Sequence, residues 1–223
     1  MKINLLMKNW HGWKCYKFEK YNAWFSGYIL NTNTGVFFNN AIALMDNDNS
    51  SYYDFDKLAR SIQGNFSFVV ANKSKLFCSV DRIRSIPLFY NLNDGEINIT
   101  NHPPYMVKSI GLDCAGYDRE SVLEISMSGY TIGNKTLCPS LLQLCSGELL
   151  VVKHRDVKLR EYYHYSPWKV KDRSKLLLKK ELTEVSRQVL ADMVKNINGR
   201  QIVVPLSAGN DSRFIASGLK ELG

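Results

Sequence analysis

Long apolar runs are missing from this sequence of 223 residues, and their absence excludes several classes at once. Near the start, Lys2 and Lys8 flank Leu5-Leu6-Met7. Asn9-Trp10-His11-Gly12 then interrupts the stretch before it reaches the roughly 7–15 apolar residues of a secretory leader. No segment approaches the roughly 18 apolar residues of a membrane helix. A cytoplasmic protein with no membrane partner is expected. Cysteine is sparse: Cys15, Cys78, Cys114, Cys138 and Cys145 are odd in number and contain no C-x-x-C pair. Several lie in apolar surroundings, as in Leu76-Phe77-Cys78-Ser79-Val80, which predicts buried thiols in a reducing compartment rather than disulfides or zinc. His154 and His164 have no compact ligand spacing to Cys138 and Cys145, so no metal site is expected there. Concentrated positive charge is also missing. The formal net charge is +8, but basic residues are spread along the chain. Where they are densest, from Lys169 to Lys180, Asp172 intervenes and a periodic helix begins; this describes a solvated helix face, not a nucleic-acid surface.

What is present is ordinary globular material. A 45% hydrophobic content at this length can bury one core of roughly 150 residues plus a further element. Strands are predicted at Asn22–Leu30, Asn65–Ala71, Lys75–Val80, Ile86–Tyr90 and Glu96–Thr100, where aromatic and β-branched residues dominate. Asn72-Lys73-Ser74 and the stretch 91–95 supply turn chemistry between them. Short helices are predicted from Asp54 to Ile62, with Asp54 as cap and Gly64 as stop, and from Asp118 to Met127; a further strand follows from Glu148 to Lys153. Antiparallel strands with segregated helices describe an α+β layered domain.

From Arg160 to Trp168 no period is visible and Pro167 intervenes, so this stretch is expected to connect a domain at 1–168 to a second at 169–223. From Asp172 a helical stripe of Leu178, Leu182, Val185, Val189, Met193 and Ile197 begins, is expected to face a core, and stops at Gly199. A short strand is predicted at Gln201–Leu206, then the loop Ser207-Ala208-Gly209-Asn210-Asp211-Ser212, then a helix from Arg213 to Leu222. Strand, loop and helix in that order open a parallel α/β sheet.

A loop of small residues at a helix start gathers backbone N–H groups at the positive end of the helix, where anions bind. Gly209 lets a ligand approach the backbone, Ser207 and Ser212 can donate to phosphate oxygens, and Asp211 can hold a magnesium ion. The same composition also suits a merely capped helix start. The wider string Val203-Val-Pro-Leu-Ser-Ala-Gly-Asn-Asp-Ser-Arg-Phe-Ile-Ala216 resembles the pyrophosphatase loop of the asparagine synthetase family, Leu-Ser-Gly-Gly-x-Asp-Ser, with Ala208 in place of the first glycine. The resemblance implies that Leu206 frames ATP while Ser207, Gly209, Asp211 and Ser212 grip its pyrophosphate, with magnesium on Asp211.

The earlier part agrees in order and spacing. Gly64-Asn-Phe-Ser-Phe68 and Val80-Asp-Arg-Ile-Arg-Ser-Ile-Pro-Leu-Phe-Tyr90 resemble the family's glutaminase-domain segments Gly-x-Phe-Ala-Phe and Arg-Asp-Arg-x-Gly-x-x-Pro-Leu-Tyr-Tyr. Gly129–Thr136 and Leu141–Gly147 look like the end of that domain. The family's nucleophile, however, is a cysteine directly after the initiator methionine, and this chain has Lys2 there. Cys15, which has no free α-amine, is expected to be an inert, partly buried thiol. Ser26-Gly27-Tyr28 stands where the family has Asn-Gly-Glu. For Asp81 and Arg82 an ion pair or turn cap is expected rather than a catalytic role.

The resemblance therefore implies an Ntn-hydrolase-like layered domain without glutaminase activity, then the first β-loop-α unit of an adenine-nucleotide α-hydrolase-like domain. It also implies an ATP-dependent amide ligase that activates a carboxylate as an acyl-adenylate for ammonia or an amine. A β-lactam-synthetase-like ring-closing ligase and a non-catalytic binding remnant are the alternatives. The full synthetase domain needs further strands, so the chain is expected to be an inactive front fragment, with an unpaired apolar face promoting self-association as a homo-oligomer.

Overall fold

The computed structural model describes every residue except 94, 115, 169–171 and 198. The chain divides into two compact units, Met1–Tyr165 and Ser166–Gly223. The first contains β1 (Lys2–Leu5), β2 (Lys14–Lys17), β3 (Asn22–Ile29), α1 (Thr34–Asp46), α2 (Tyr52–Ser61), β4 (Gly64–Ala71), β5 (Leu76–Val80), β6 (Phe89–Asn93), β7 (Glu96–Thr100), α3 (Pro103–Ile110), α4 (Arg119–Ser128), β8 (Leu142–Gln143), β9 (Glu148–Lys153) and β10 (Asp156–Glu161). The second contains α5 (Lys175–Ile197) and α6 (Asn210–Glu221).

The strands form a six-stranded antiparallel sheet, β10-β9-β5-β4-β3-β2, and a four-stranded sheet, β1-β7-β6-β8, in which β1 runs parallel to β7. At the centre of the larger sheet, β4 and β5 are buried on both faces, which is why their sequences are largely apolar, with Ser67 and Ser79 buried among them, instead of alternating. The pleat sends Phe66, Phe68, Val70 and Phe77 to one face and Val69, Ala71, Leu76, Cys78 and Val80 to the other. The first face packs on Phe37, Phe38, Ala41 and Met45 of α1 and Phe55 and Ala59 of α2. The second packs on Tyr90, Ile97 and Ile99 of the smaller sheet. Met106 of α3 packs with Phe89, Cys138 and Leu141 in a third cluster. The result is the expected mixed α+β layering.

Edge-to-face rings run through the first core: Phe37–Phe68 centroids are 4.7 Å apart, Phe68–Phe77 4.9 Å and Phe55–Phe77 5.0 Å. Two cations pin the helices to the sheet. Lys153 Nζ donates to the carbonyls of Asn47, Asp48 and Ser50 at 2.9, 2.8 and 2.9 Å. Arg160 forks onto the buried Asp56 carboxylate, with Nη2 to Oδ2 at 2.9 Å.

Asp81 caps the turn after β5. Its buried carboxylate accepts from the N–H groups of Phe66 (3.1 Å), Ile83 (2.9 Å) and Ser85 (3.1 Å), and from the Ser85 hydroxyl. This is the turn cap expected for it. The turn drives Arg84 to φ 54°, a conformation that costs a non-glycine residue about 1 kcal/mol or more.

Several expectations are corrected. The strand placed at Ile86–Tyr90 starts only at Phe89, because the Asp81 turn runs through Ser85 and Pro87 has no N–H for a ladder. The turn placed at 91–95 is shortened, since β6 continues to Asn93; residue 94 lies outside the described residues. Ser51 rather than Asp54 caps α2, Asp54 accepting from the Ser51 N–H at 2.8 Å. Gly64 is no helix stop: it opens β4 at φ 137°, where an added Cβ would lie 2.3 Å from the Tyr28 carbonyl oxygen. The stretch from Arg160 is not a connector at its start, because β10 runs to Glu161 and the fully buried Tyr162 donates to the Val80 carbonyl at 2.8 Å. β1, β2, β8, β10, α1 and α3 lie outside the predicted elements.

The cysteine reading is overturned in part. Cys114 and Cys138, 24 residues apart, have Cα atoms 4.7 Å apart and form a disulfide, a proximity that only the fold creates. Cys78 is a buried thiol, whose titration burial pushes far up, but Cys15 is exposed on β2 and Cys145 half-buried. Thiol burial therefore gives no support to a reducing compartment. Among the described residues, no helix is long and apolar enough to cross a membrane.

In the second unit, α5 begins at Lys175 and α6 at Asn210, three residues before the predicted start. The basic stretch from Lys169 has its first three residues outside those described. Leu190 is the buried residue of α5; Leu182, Val185 and Val189 of the predicted core stripe are 69%, 60% and 59% exposed. The two helices meet at Gly218, where an added Cβ would lie 2.2 Å from Leu190 Cδ1. Only this narrow line on α5 is covered by α6. Gln201–Leu206 forms no strand; the described residues of this unit contain no second strand for it to pair with.

Two outcomes follow. Asp81→Ala strands the N–H groups of Phe66, Ile83 and Ser85 and lowers stability by about 3 kcal/mol, read by urea denaturation. Burial pushes the Tyr90 phenol from its ordinary 10.0 up to about 12, and Tyr162 is pushed up by burial as well. Both are neutral in the native state. Their contribution is complete below pH 10 and is lost as pH climbs toward 12, so their phenolate absorbance rises together with loss of the circular dichroism of the fold.

Candidate functional site

The loop singled out for anion binding precedes α6. Gly209 is its cap residue in extended conformation, φ −74° and ψ 162°, and Asn210, Asp211 and Ser212 form the first helical turn. Ser212 Oγ accepts the Ser207 N–H at 3.0 Å and lies 3.0 Å from Ser207 Oγ, while the Gly209 N–H donates to Ser207 Oγ at 3.2 Å. The loop is thus closed on itself by the two hydroxyls assigned to pyrophosphate. Asp211 sits in the first turn, where its charge complements the helix end. Leu206 is 67% exposed, and Ser207, Gly209 and Asp211 are exposed as well.

The fold brings Ser207, Gly209, Asp211 and Ser212 into a single turn of chain. The N–H groups of Ser207 and Gly209 are already engaged, so the donors left for an anion are the first-turn N–H groups of α6 and the rotatable hydroxyls. The unit's apolar cleft, about 570 Å³ between α5 and α6, is lined by Leu182, Leu190, Phe214 and Leu222 and includes none of the loop residues.

In the first unit, Lys2 stands on β1 beside Glu96 of β7. Its Nζ lies 3.1 Å from Glu96 Oε1, and Asn4 Nδ2 donates to Oε2 at 3.0 Å. The Lys2 hydrogen bond holds the Glu96 carboxyl below its ordinary range. A surface ion pair therefore occupies the position where the resemblance would put a nucleophile. Ser26, Gly27 and Tyr28 lie within β3; Ser26 Oγ donates to the His11 carbonyl at 3.2 Å, and Gly27, at φ 99°, abuts the Asn65 carbonyl. None of the three supplies a carboxylate.

Asp81 and Arg82 do not pair. Arg82 Nη2 donates to the Arg60 carbonyl at 3.1 Å, and its guanidinium lies 4.9 Å from the Tyr163 ring centroid. His164 Nδ1 is 2.8 Å from Glu161 Oε1, and the Cys138 sulfur is bonded to Cys114. The residue that sequence reasoning passed over is Arg84. It stands where the quoted glutaminase motif has glycine, and that departure, a long cation at a turn position suited to glycine, was the available signal.

No protein-family model matches this chain, and no curated protein does. Solved structures similar to part of it include the glutamine phosphoribosylpyrophosphate (PRPP) amidotransferase from B. subtilis complexed with ADP and GMP, with 9% identity and a TM-score of 0.39 over 67% of this chain. Another, described as the allosteric regulatory enzyme of purine biosynthesis, shows 8% identity and a TM-score of 0.37 over 68% of this chain. This chain spans 31% of each of those chains.

Proposed function

We propose that the chain belongs to an asparagine-synthetase-like, AMP- and pyrophosphate-forming amide ligase. In this reading residues 1–168 are an Ntn-hydrolase-like domain without glutaminase activity, and residues 169–223 open the nucleotide domain. The observation that supports it is the convergence of Ser207 and Ser212, their oxygens 3.0 Å apart, at the start of a helix whose first turn carries Asp211. A pyrophosphate leaving group would take those hydroxyl hydrogens and the first-turn N–H groups in exchange for the loop's own bonds. Asp211 makes no ion pair among the described residues and would hold magnesium, which neutralises phosphate charge when bound. Leu206, exposed beside the loop, would frame the nucleotide. The acyl-adenylate's amine partner would be ammonia or an amine. A cytoplasmic location belongs to this reading because ATP is supplied there, and the exposed apolar stripe of α5 supports self-association.

A second reading, a non-catalytic binding protein, is favoured by one feature: the loop already satisfies its own hydroxyls and stands exposed. ATP–pyrophosphate exchange separates the two. In the longest polypeptide that carries this sequence, carboxylate-dependent exchange is expected, and Asp211→Ala lowers it by about 100-fold or more. Absence of exchange with a panel of amino acids and related carboxylates supports the non-catalytic reading. Exchange that proceeds to a cyclised product without an added amine identifies a ring-closing ligase.

A further inference from the structure

A cleft of about 650 Å³ opens in the first unit between the smaller sheet and the segment that carries α3 and α4. Phe89, Val107, Ile125, Leu137 and Leu141 give it apolar walls, and among the described residues Arg84 is the one cation that lines it. Arg84 Nη2 donates to Gln143 Oε1, a neutral acceptor. Its Nε is buried and has no acceptor, and no carboxylate of the described residues lies within ion-pair distance of the guanidinium. Burial lowers the Arg84 pKa. The nearby Glu148 carboxylate is occupied by Asn134 Nδ2 at 2.6 Å and by the Cys145 N–H at 2.7 Å.

The surroundings hold this cation in place. Asp81 fixes the turn, and the Arg84 N–H donates to the Asp81 carbonyl at 3.1 Å. Gln143 Nε2 lies 3.1 Å from each of Thr131 Oγ1, Gly133 O and Lys135 O, which share its two hydrogens, so its oxygen is aimed at Arg84 in advance. Glycine would take this backbone conformation at lower cost; what Arg84 adds is its bond to Gln143, a guanidinium 5.9 Å from the Phe89 ring centroid and a half-buried charge with no carboxylate of the described residues beside it.

We propose that this cleft binds a carboxylate carried on an apolar body, with the Arg84 guanidinium as anchor. A planar fork of N–H donors matches a carboxylate, and one cation among apolar walls suits a single negative charge better than the two of a phosphate monoester. The apolar body displaces water from Val107, Ile125, Leu137 and Leu141.

The test titrates the full chain with octanoate and 3-phenylpropionate by calorimetry, with octanamide as the uncharged control, and follows methyl resonances of Val107, Ile125, Leu137 and Leu141. At least one carboxylate is expected to bind and to shift those methyls, and octanamide to bind at least about tenfold more weakly than octanoate. Arg84→Gly relieves the turn, so its melting temperature equals or exceeds that of the parent, while carboxylate affinity falls by about tenfold or more. Three results overturn the proposal: no binding of either carboxylate at millimolar concentration, equal affinity in Arg84→Gly, or shifts confined to other residues.

Discussion

The carboxylate of Asp81 sits where three parts of the first unit meet. It receives the Phe66 N–H from β4, closes the turn through Ile83 and Ser85, and its backbone carbonyl receives the Gly147 N–H just ahead of β9. A buried carboxylate is tolerable only when its lone pairs are filled, and here backbone donors fill them. Once it is seated, the chain leaves β5 in one direction only. Pro87 and Leu88 then carry it across to the smaller sheet, and Arg84 is turned to its unusual backbone conformation and half-buried position.

The rest of the layering follows from burial on both sides of β4 and β5. A sheet whose centre is apolar on both faces needs a cover for each, and the chain supplies α1 and α2 for one and the smaller sheet for the other. The polar groups caught inside are paired: Lys153 satisfies three carbonyls of the α1–α2 connection, Arg160 satisfies Asp56, and Asn98 lies in a ladder with Asn4 and Asn91 at 2.9 and 3.0 Å. Among the described residues, the buried side-chain atoms without a partner are Ser50 Oγ and Arg84 Nε, and of these two only Arg84 carries a charge. The second unit has the opposite character, two helices touching along a line at Leu190 and Gly218 with most apolar residues of α5 exposed.

Legibility in the sequence followed the range of the interaction. β4, β5, β7 and β9 were visible because buried central strands must be apolar and β-branched or aromatic whatever surrounds them. The start of α4 was visible because Asp118 caps it, accepting the Ser121 N–H at 2.8 Å. By contrast, α1 went unpredicted: Phe37 and Phe38 are adjacent, and its apolar residues make no clean stripe, since the helix lies flat against an aromatic core. The loop at 207–212 was legible as a motif, but not its internal hydrogen bonds, because Ser207 and Ser212 meet only after α6 has formed.

By itself the sequence determined the local choices: which segments can be central strands, that position two holds lysine instead of a nucleophile, and that small hydroxyl residues precede a helix. These depend on side-chain chemistry within a few residues. Tertiary structure alone decided that Cys114 meets Cys138, that Gln201–Leu206 stays without a ladder, that Tyr162 is core, and that Arg84 faces an apolar cleft with no anion beside it. Each of these depends on a partner far away in the chain, or on the lack of one among the described residues, and no local pattern encodes which distant group will arrive.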